Sequence, residues 1–185
     1  MKPVITSQKA ILDTCRSLVM TQGLSAINMR SVAKACGVAV GSLYNYFPSK
    51  DDLLQATVRS VWTDIFCVSG DSIPCESFLE YLEWMFSRMQ WAYTQYPGFL
   101  TLHAISFTET SRIQGRREME QYFAHLKAGM LSVLAHDSKV RADAFGERFS
   151  REELVDLSFS TLVWLFVQEK SSCDVFFEVI RRAIY

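Results

Sequence analysis

Catalytic and metal-binding signatures are missing from this 185-residue chain. Its three histidines, His103, His125 and His136, show no metal-ligand spacing with one another, and there is no H-E-x-x-H, glycine-rich phosphate loop or G-x-S-x-G. A helical small-molecule enzyme is therefore set aside: no catalytic residue, metal ligand or cofactor is expected, and turnover of a bound compound would reverse that. Cysteine is unpatterned. The five cysteines are odd in number and widely spaced without a C-x-x-C, which excludes a disulfide framework. Cys15 and Cys36 fall on apolar helix faces and read as small core residues. Cys67 and Cys75 flank a short loop and are the candidates for redox chemistry.

Long apolar runs are absent too. The stretch from Leu157 to Gln168 is too short to span a bilayer, and the uncharged run from Met89 to Thr108 is broken by Gln90, Gln95, Pro97, Gly98 and His103. The opening MKPVITSQKAI lacks the apolar segment of a signal peptide, so the expected location is cytoplasmic, with no membrane partner. There are only four prolines, with no repeat, low-complexity tract or flexible linker, so the expectation is an all-α chain.

Against these absences, the stretch from Met29 to Lys50, MRSVAKACGVAVGSLYNYFPSK, is dense in local signals. Asn28 is a good N-cap, able to accept a backbone N–H of the first turn. Val32 and Cys36 share a face with small Ala33 beside them, which lets a second helix approach closely. Gly37 ends the helix in the left-handed conformation that a β-carbon disfavours. After this tight connection Leu43, with Tyr46 or Phe47, faces inward and leaves Val40, Gly41, Ser42, Tyr44 and Asn45 outside. Two short helices joined by a glycine-containing turn form a helix–turn–helix, whose second helix enters the major groove of duplex DNA. Pro48 stops that helix. Ser49 caps the next, with Asp52 in the place of the acidic partner of a capping box. Lys50 then lies in the first turn, where unpaired N–H groups and the helix dipole both favour a phosphate.

Charge is distributed to match. Residues 1–60 carry seven Lys/Arg and three acids, a net +4, whereas the whole chain stands at −1, leaving −5 on the remainder. A basic amino-terminal module on an acidic body suits a protein that presents one end to DNA.

At these residues the chain resembles the tetracycline-repressor (TetR) family of bacterial transcription regulators, from about Ile11 to Leu54. The family's amphipathic first helix, its terminal glycine, its Ala/Gly bihelix and its LY-x-x-F-x-x-K segment correspond to Gly23, Ala33, Gly37, Leu43, Tyr44, Phe47 and Lys50. The resemblance implies that Tyr44 and Lys50 contact phosphates. It places Arg30, Val40, Gly41, Ser42 and Asn45 nearest the base edges. Tyr46, where many members carry His, joins the DNA-binding set, the other reading being that it packs in the core; Arg30 could likewise be a solvated surface charge. By their chemistry Arg30 suits guanine, Asn45 adenine and Val40 a thymine methyl.

The expected organisation is a three-helix DNA-binding domain over residues 1–49 and a helical ligand-binding and dimerisation domain over residues 50–185. A long helix from the Ser49 cap almost to Gly70 carries Leu54, Val58, Val61, Ile65 and Phe66. Others are expected from about Glu76 to Gln95 and between Phe107 and Ala135, with a short one starting at Pro97-Gly98. The segment from His136 to Phe149 reads as a loop. Ser150 and Glu153 form a capping box for a helix through Lys170, and Ser172 or Asp174 opens the last. Leu154 to Val167 is apolar nearly all round and needs cover on more than one side. Pairing it and the last helix with their counterparts gives a homodimer, as the resemblance also implies.

Trp62, Phe66, Met85, Met89, His103 and Phe107, with Trp84, Trp91 and Phe99 among them, are the candidates to line a ligand pocket; ordinary core is the competing reading for each. His103 is the preferred polar group. The resemblance implies a small-molecule inducer that shifts the long connecting helix. The expected function is thus a repressor bound to a double-stranded DNA operator and released by a small apolar or aromatic ligand. The alternative is a helix–turn–helix regulator controlled by a protein partner without an inducer.

Overall fold

A computed structural model describes residues 7–66, 75–99, 109–168 and 170–185, those of 109–119 by their backbone alone. The described residues form eight α-helices: α1 Gln8–Gln22, α2 Met29–Cys36, α3 Val40–Tyr44, α4 Lys50–Phe66, α5 Phe78–Gln95, α6 Glu109–His136, α7 Arg151–Val167 and α8 Asp174–Ile184. A 3-10 turn, Leu24–Ala26, joins α1 to the chain before α2. The all-α expectation holds. Two compact units are present, Met1–Cys67 with Ala92–Arg117, and Val68–Trp91 with Glu118–Tyr185.

In the first unit α1 begins at Ser7, whose hydroxyl accepts the Ala10 N–H at 3.2 Å. Ile11, Cys15 and Val19 recur every four residues and are all buried, the stripe expected of a helix with one face in a core. That face packs on α2, on the 3-10 turn and on α4, while α3 packs on α2. The Thr57 hydroxyl of α4 donates to the Leu53 carbonyl at 2.7 Å and that of Thr14 on α1 to the Ala10 carbonyl at 3.0 Å, so each is satisfied within its own helix. Burial pushes the Cys15 thiol up to about 11 and raises that of Cys36, so both are packing residues rather than nucleophiles. Leu54, Val58, Val61, Ile65 and Phe66 of α4 are buried. The expected continuation of this helix toward Gly70 lies outside the described residues, as do Cys67 and the expected short helix beyond Phe99.

In the second unit the start of α5 is built by distant residues. Asp137 takes the Phe78 N–H at 2.8 Å, and the Tyr185 hydroxyl takes the Leu79 N–H at 3.2 Å while donating to Asp137 at 2.5 Å. Ser77 accepts the Glu80 N–H at 3.2 Å. These contacts start the helix at Phe78, two residues later than the sequence pattern suggests. Phe86 meets Phe177 edge-on at 6.2 Å, and Phe123 meets Phe159 at 5.1 Å. The Tyr81 hydroxyl lies 3.5 Å from where a β-carbon on Gly129 would sit, so that glycine lets α6 approach α5 closely. The loop after α6 folds back: Arg141 donates its backbone N–H to the Ile184 carbonyl at 2.9 Å and its guanidinium to the Ala183 carbonyl at 2.8 Å.

The Ser150–Glu153 capping box is present in both directions, at 3.1 and 2.8 Å. The helix it opens ends at Val167 rather than Lys170. Gln168 turns there, and Lys170 closes the end by donating to the Leu165 carbonyl at 3.0 Å. The last helix starts at Asp174, with Cys173 as N-cap and the Ser172 hydroxyl accepting the Asp174 N–H at 3.3 Å.

Candidate nucleic-acid interface

The turn between α2 and α3 is fixed from both sides. Asn28 accepts the N–H groups of Arg30 and Ser31 at 3.1 and 3.0 Å, and the Asn28 N–H is taken by the Ser31 hydroxyl at 3.2 Å. Ser31 also donates to the Ala26 carbonyl, locking the entry of the chain into α2. At the other end Gly37 stands at φ 73°. Its N–H reaches the Lys34 carbonyl at 3.2 Å, and the Val38 N–H reaches that of Ala33 at 3.0 Å. This nested pair satisfies the last carbonyls of α2 and reverses the chain. Val32, Ala33 and Cys36 face inward, and Leu43 of α3 is fully buried against that side. Full burial of such a side chain contributes about 1.5–3 kcal/mol, a large share for a five-residue helix that is too short to hold itself.

With Leu43 and Phe47 buried, Val40, Gly41, Ser42, Tyr44 and Asn45 all stand exposed. Arg30 is exposed on the first turn of α2, and Lys50 on the first turn of α4. Of the two inward candidates, Phe47 takes the core position and Tyr46 is exposed. Tyr46 and Phe47 both donate backbone N–H groups to the Leu43 carbonyl at 2.9 Å, so the chain tightens into a turn after α3 ends at Tyr44, ahead of Pro48.

The α4 cap differs in detail from a capping box. Ser49 accepts the Asp52 N–H at 3.1 Å, but its hydroxyl also donates to the Asp52 carboxylate at 2.7 Å. An Asp, one methylene shorter than Glu, closes on the serine side chain. Lys50 is left as the exposed cation next to this helix start.

The ligand candidates separate. Trp62 and Phe66 belong to the first unit, where their rings stack at 5.8 Å and Phe99 meets Trp62 edge-on at 5.8 Å. Met85 and Met89 are buried in the second unit. His103 and Phe107 lie outside the described residues. No group of His, Cys, Asp and Glu among the described residues could hold a metal ion, and no helix there is long and apolar enough to cross a membrane.

The sequence pattern does not single out, residue by residue, the apolar surface left on the outside of the second unit. Leu157, Trp164 and Val167 on α7 are exposed, Trp164 by 62%, and so are Val175 and Val179 on α8. Beside them a groove of about 670 Å³ is lined by Phe123, Lys127, Phe159, Val163, Trp164 and Val167 among others. The signal is the all-round apolar pattern of α7; which residues stay outside depends on how its neighbours pack.

Residues 11–57 match the family described as bacterial regulatory proteins, tetR family. The HTH-type transcriptional repressor KstR of Rhodococcus jostii is 36% identical over 90 residues, covering 49% of this chain and 42% of that protein. KstR of Mycolicibacterium smegmatis is 49% identical over 51 residues, 28% of this chain and 25% of that protein. The chain thus spans less than half the length of these relatives. In fold it is similar to a TetR family protein from Vibrio parahaemolyticus, with a TM-score of 0.54 at 19% identity over 97% of this chain and 98% of the other. Apo ActR from Streptomyces coelicolor gives 0.54 at 18% identity, over 95% and 74%.

Proposed function

We propose, for a chain that belongs to the TetR family of bacterial regulatory proteins, that it is a homodimeric transcription regulator. It represses by occupying a duplex DNA operator and is released by a small apolar or aromatic molecule. The observation that carries the DNA-binding part is the exposed row Val40, Gly41, Ser42, Tyr44 and Asn45 on a helix anchored through Leu43 and Phe47. Arg30 and Lys50 are exposed at the two flanking helix starts. Tyr44, Tyr46 and Lys50 set the position on phosphates, and Arg30, Ser42 and Asn45 read bases, with Val40 and Gly41 in apolar contact. Residues 1–49 form the DNA-binding part and residues 50–185 the ligand and dimerisation part. The repressive sign is supported by relatives that are named transcriptional repressors.

The dimer forms through α7 and α8, whose exposed Leu157, Trp164, Val167, Val175 and Val179 would otherwise face water. Twofold symmetry then presents two copies of α3 to half-sites about 34 Å apart, or a multiple of a helical turn. Ligand acts on the aromatic cluster around Trp62 and Phe66, and it shifts DNA occupancy only by its differential affinity for two conformations.

Binding to duplexes selected from a random library, followed over a salt series, tests the reading. Several phosphate contacts predict a steep loss of affinity with salt. Lys50→Ala is expected to weaken every duplex alike and to reduce the salt slope by about one. Arg30→Ala and Asn45→Ala are expected to change which base is preferred. A full-length protein that selects no duplex even at low salt overturns the proposal. A Lys50→Ala variant with altered base preference and undiminished affinity overturns the division of roles.

A further inference from the structure

A chain of polar contacts inside the first unit reaches from the back of the DNA-binding helices to the end of α5. Arg16 of α1 donates to the Ser60 hydroxyl of α4 at 2.5 Å and to Asp13 on its own helix at 2.5 Å. Its Nε lies 3.9 Å from the carboxylate of Asp64, also on α4. The other oxygen of Asp64 accepts the hydroxyl of Tyr96 at 2.7 Å. Tyr96 is nearly fully buried, follows the last turn of α5 and packs on Phe99, which in turn meets Trp62. Arg16 and Asp64 are about three-quarters and two-thirds covered, so this is a partly desolvated set of charges rather than a row of surface ion pairs.

Ser60 is buried on α4 and spends its hydroxyl on Arg16. Neighbouring Ala56, Arg59, Ser60 and Thr63 form one wall of a groove whose other wall is Gln8, Leu12, Asp13 and Arg16 of α1. The α1 and α4 helices thus carry buried Cys15 and Thr57 as well as this polar groove. A fully apolar seam could slide, because its energy depends on area rather than on register. Hydrogen bonds from one guanidinium to Ser60 on α4 and Asp13 on α1, with the Asp64 carboxylate at ion-pair distance, fix register as well as contact. Asp64 then extends that constraint to Tyr96.

We propose that Arg16, Asp64 and Tyr96 are positioning residues for DNA binding. They hold α1, and with it the helix–turn–helix packed on it, in register with α4 and the α5 end. The inference rests on the DNA-binding reading above. Its specific content is that Arg16 and Tyr96 act through one shared carboxylate. Breaking either contact lets the seam populate other registers and so lowers the fraction of protein that can seat both recognition helices.

The test uses the full-length chain and duplexes it recovers from a random-sequence library. Arg16→Gln and Tyr96→Phe are measured singly and together, with Asp64→Asn as the shared partner; Tyr96→Phe keeps the ring packed on Phe99. Each single variant is expected to lose affinity by about fivefold or more, the lower end of measured site–site coupling. The double variant is expected to be no weaker than its weaker parent, and Tyr96→Phe to have no further effect in the Asp64→Asn background. The slope of affinity against salt is expected to be unchanged in all of them, which separates positioning from a lost phosphate contact at Arg16. Unaltered affinity in the variants, losses that multiply, or a salt slope reduced by Arg16→Gln overturns the inference while leaving the DNA-binding reading intact. A wild-type chain that selects no duplex overturns both.

Discussion

Gly37 and Gly41 have the same open space around them and are expected to answer alanine in opposite directions. A β-carbon added at either meets no atom within 4 Å, so clash with neighbours drops out of the comparison and the backbone decides. Gly37 stands at φ +73°, where a β-carbon crowds its own carbonyl oxygen at a cost of about 1–2 kcal/mol. Gly41 lies inside α3, where alanine has the better helix propensity by up to about 1 kcal/mol, and roughly half of that is expected so near a helix start. Gly37→Ala is therefore predicted to destabilise by about 1–2 kcal/mol and Gly41→Ala to stabilise by about 0.5 kcal/mol. Urea midpoints of the full-length chain read the difference directly, provided the slope is unchanged. In thermal melts, at about 2–4 °C per kcal/mol for a chain of this size, the two variants are expected to separate by roughly 5 °C. Gly37→Asn should fall between wild type and Gly37→Ala, because asparagine tolerates the left-handed region. Equal shifts of the same sign at both positions would refute the argument that a left-handed residue ends α2.

Two further predictions concern the second unit. Trp164→Asp places a charge on the exposed apolar face of α7 and is expected to convert dimer to monomer in sedimentation at micromolar protein; a variant that sediments as wild type does excludes α7 from the interface. Burial, followed by the bond to Asp137, pushes the Tyr185 hydroxyl from its ordinary 10.0 up to about 12. Folding thus favours the protonated phenol, so its contribution is complete below about pH 10 and is lost as pH rises toward 12. Tyr185→Phe is expected to lower stability at neutral pH by about 1–2 kcal/mol through the lost bonds. It should also shrink the further loss across that alkaline interval, which paired urea titrations would detect; an identical alkaline loss in both proteins excludes the role.

The helix–turn–helix is legible in the sequence because its signals are local. Asn28 and Gly37 act within three or four residues of themselves and cap α2 as side chain and φ require; Ser150 is legible in the same way at the start of α7. The exposed face of α3 follows from the helical period once Leu43 is inward. Features that depend on distant partners leave no such trace. The start of α5 is set by Asp137, 59 residues away, and the seam between α1 and α4 by Arg16, 44 residues from Ser60. Tyr46 and Phe47 are neighbours of similar character, and only tertiary packing decides that Phe47 is the buried one. The aromatic and Met residues between Trp62 and Phe107 are chemically suited both to core and to ligand. Of the six chosen as ligand contacts, the four described are buried, Trp62 and Phe66 in one unit and Met85 and Met89 in the other.

The recognition surface and the exposed face of α7 and α8 are energetically linked on the proposed reading. Among the side chains assigned to base edges, only Arg30 and Asn45 can make two parallel hydrogen bonds to one base; Val40 and Gly41 carry no polar side-chain group, and Ser42 has a single hydroxyl. A bidentate base contact discriminates by about 1–3 kcal/mol, so one protomer supplies roughly 2–6 kcal/mol, toward the bottom of the roughly 4–10 kcal/mol that separates specific from non-specific binding. Two protomers double the contacts and add the spacing of the half-sites as a further criterion. DNA shape contributes where side chains do not reach. Loss of the dimer is therefore expected to cost discrimination between sequences and not affinity alone: a Trp164→Asp monomer should keep a salt-dependent attraction to any duplex through Lys50 and Tyr44 while its preference for the selected duplex collapses. If that monomer discriminates as sharply as the dimer, α3 and Arg30 carry more sequence information than their side chains can supply by hydrogen bonding.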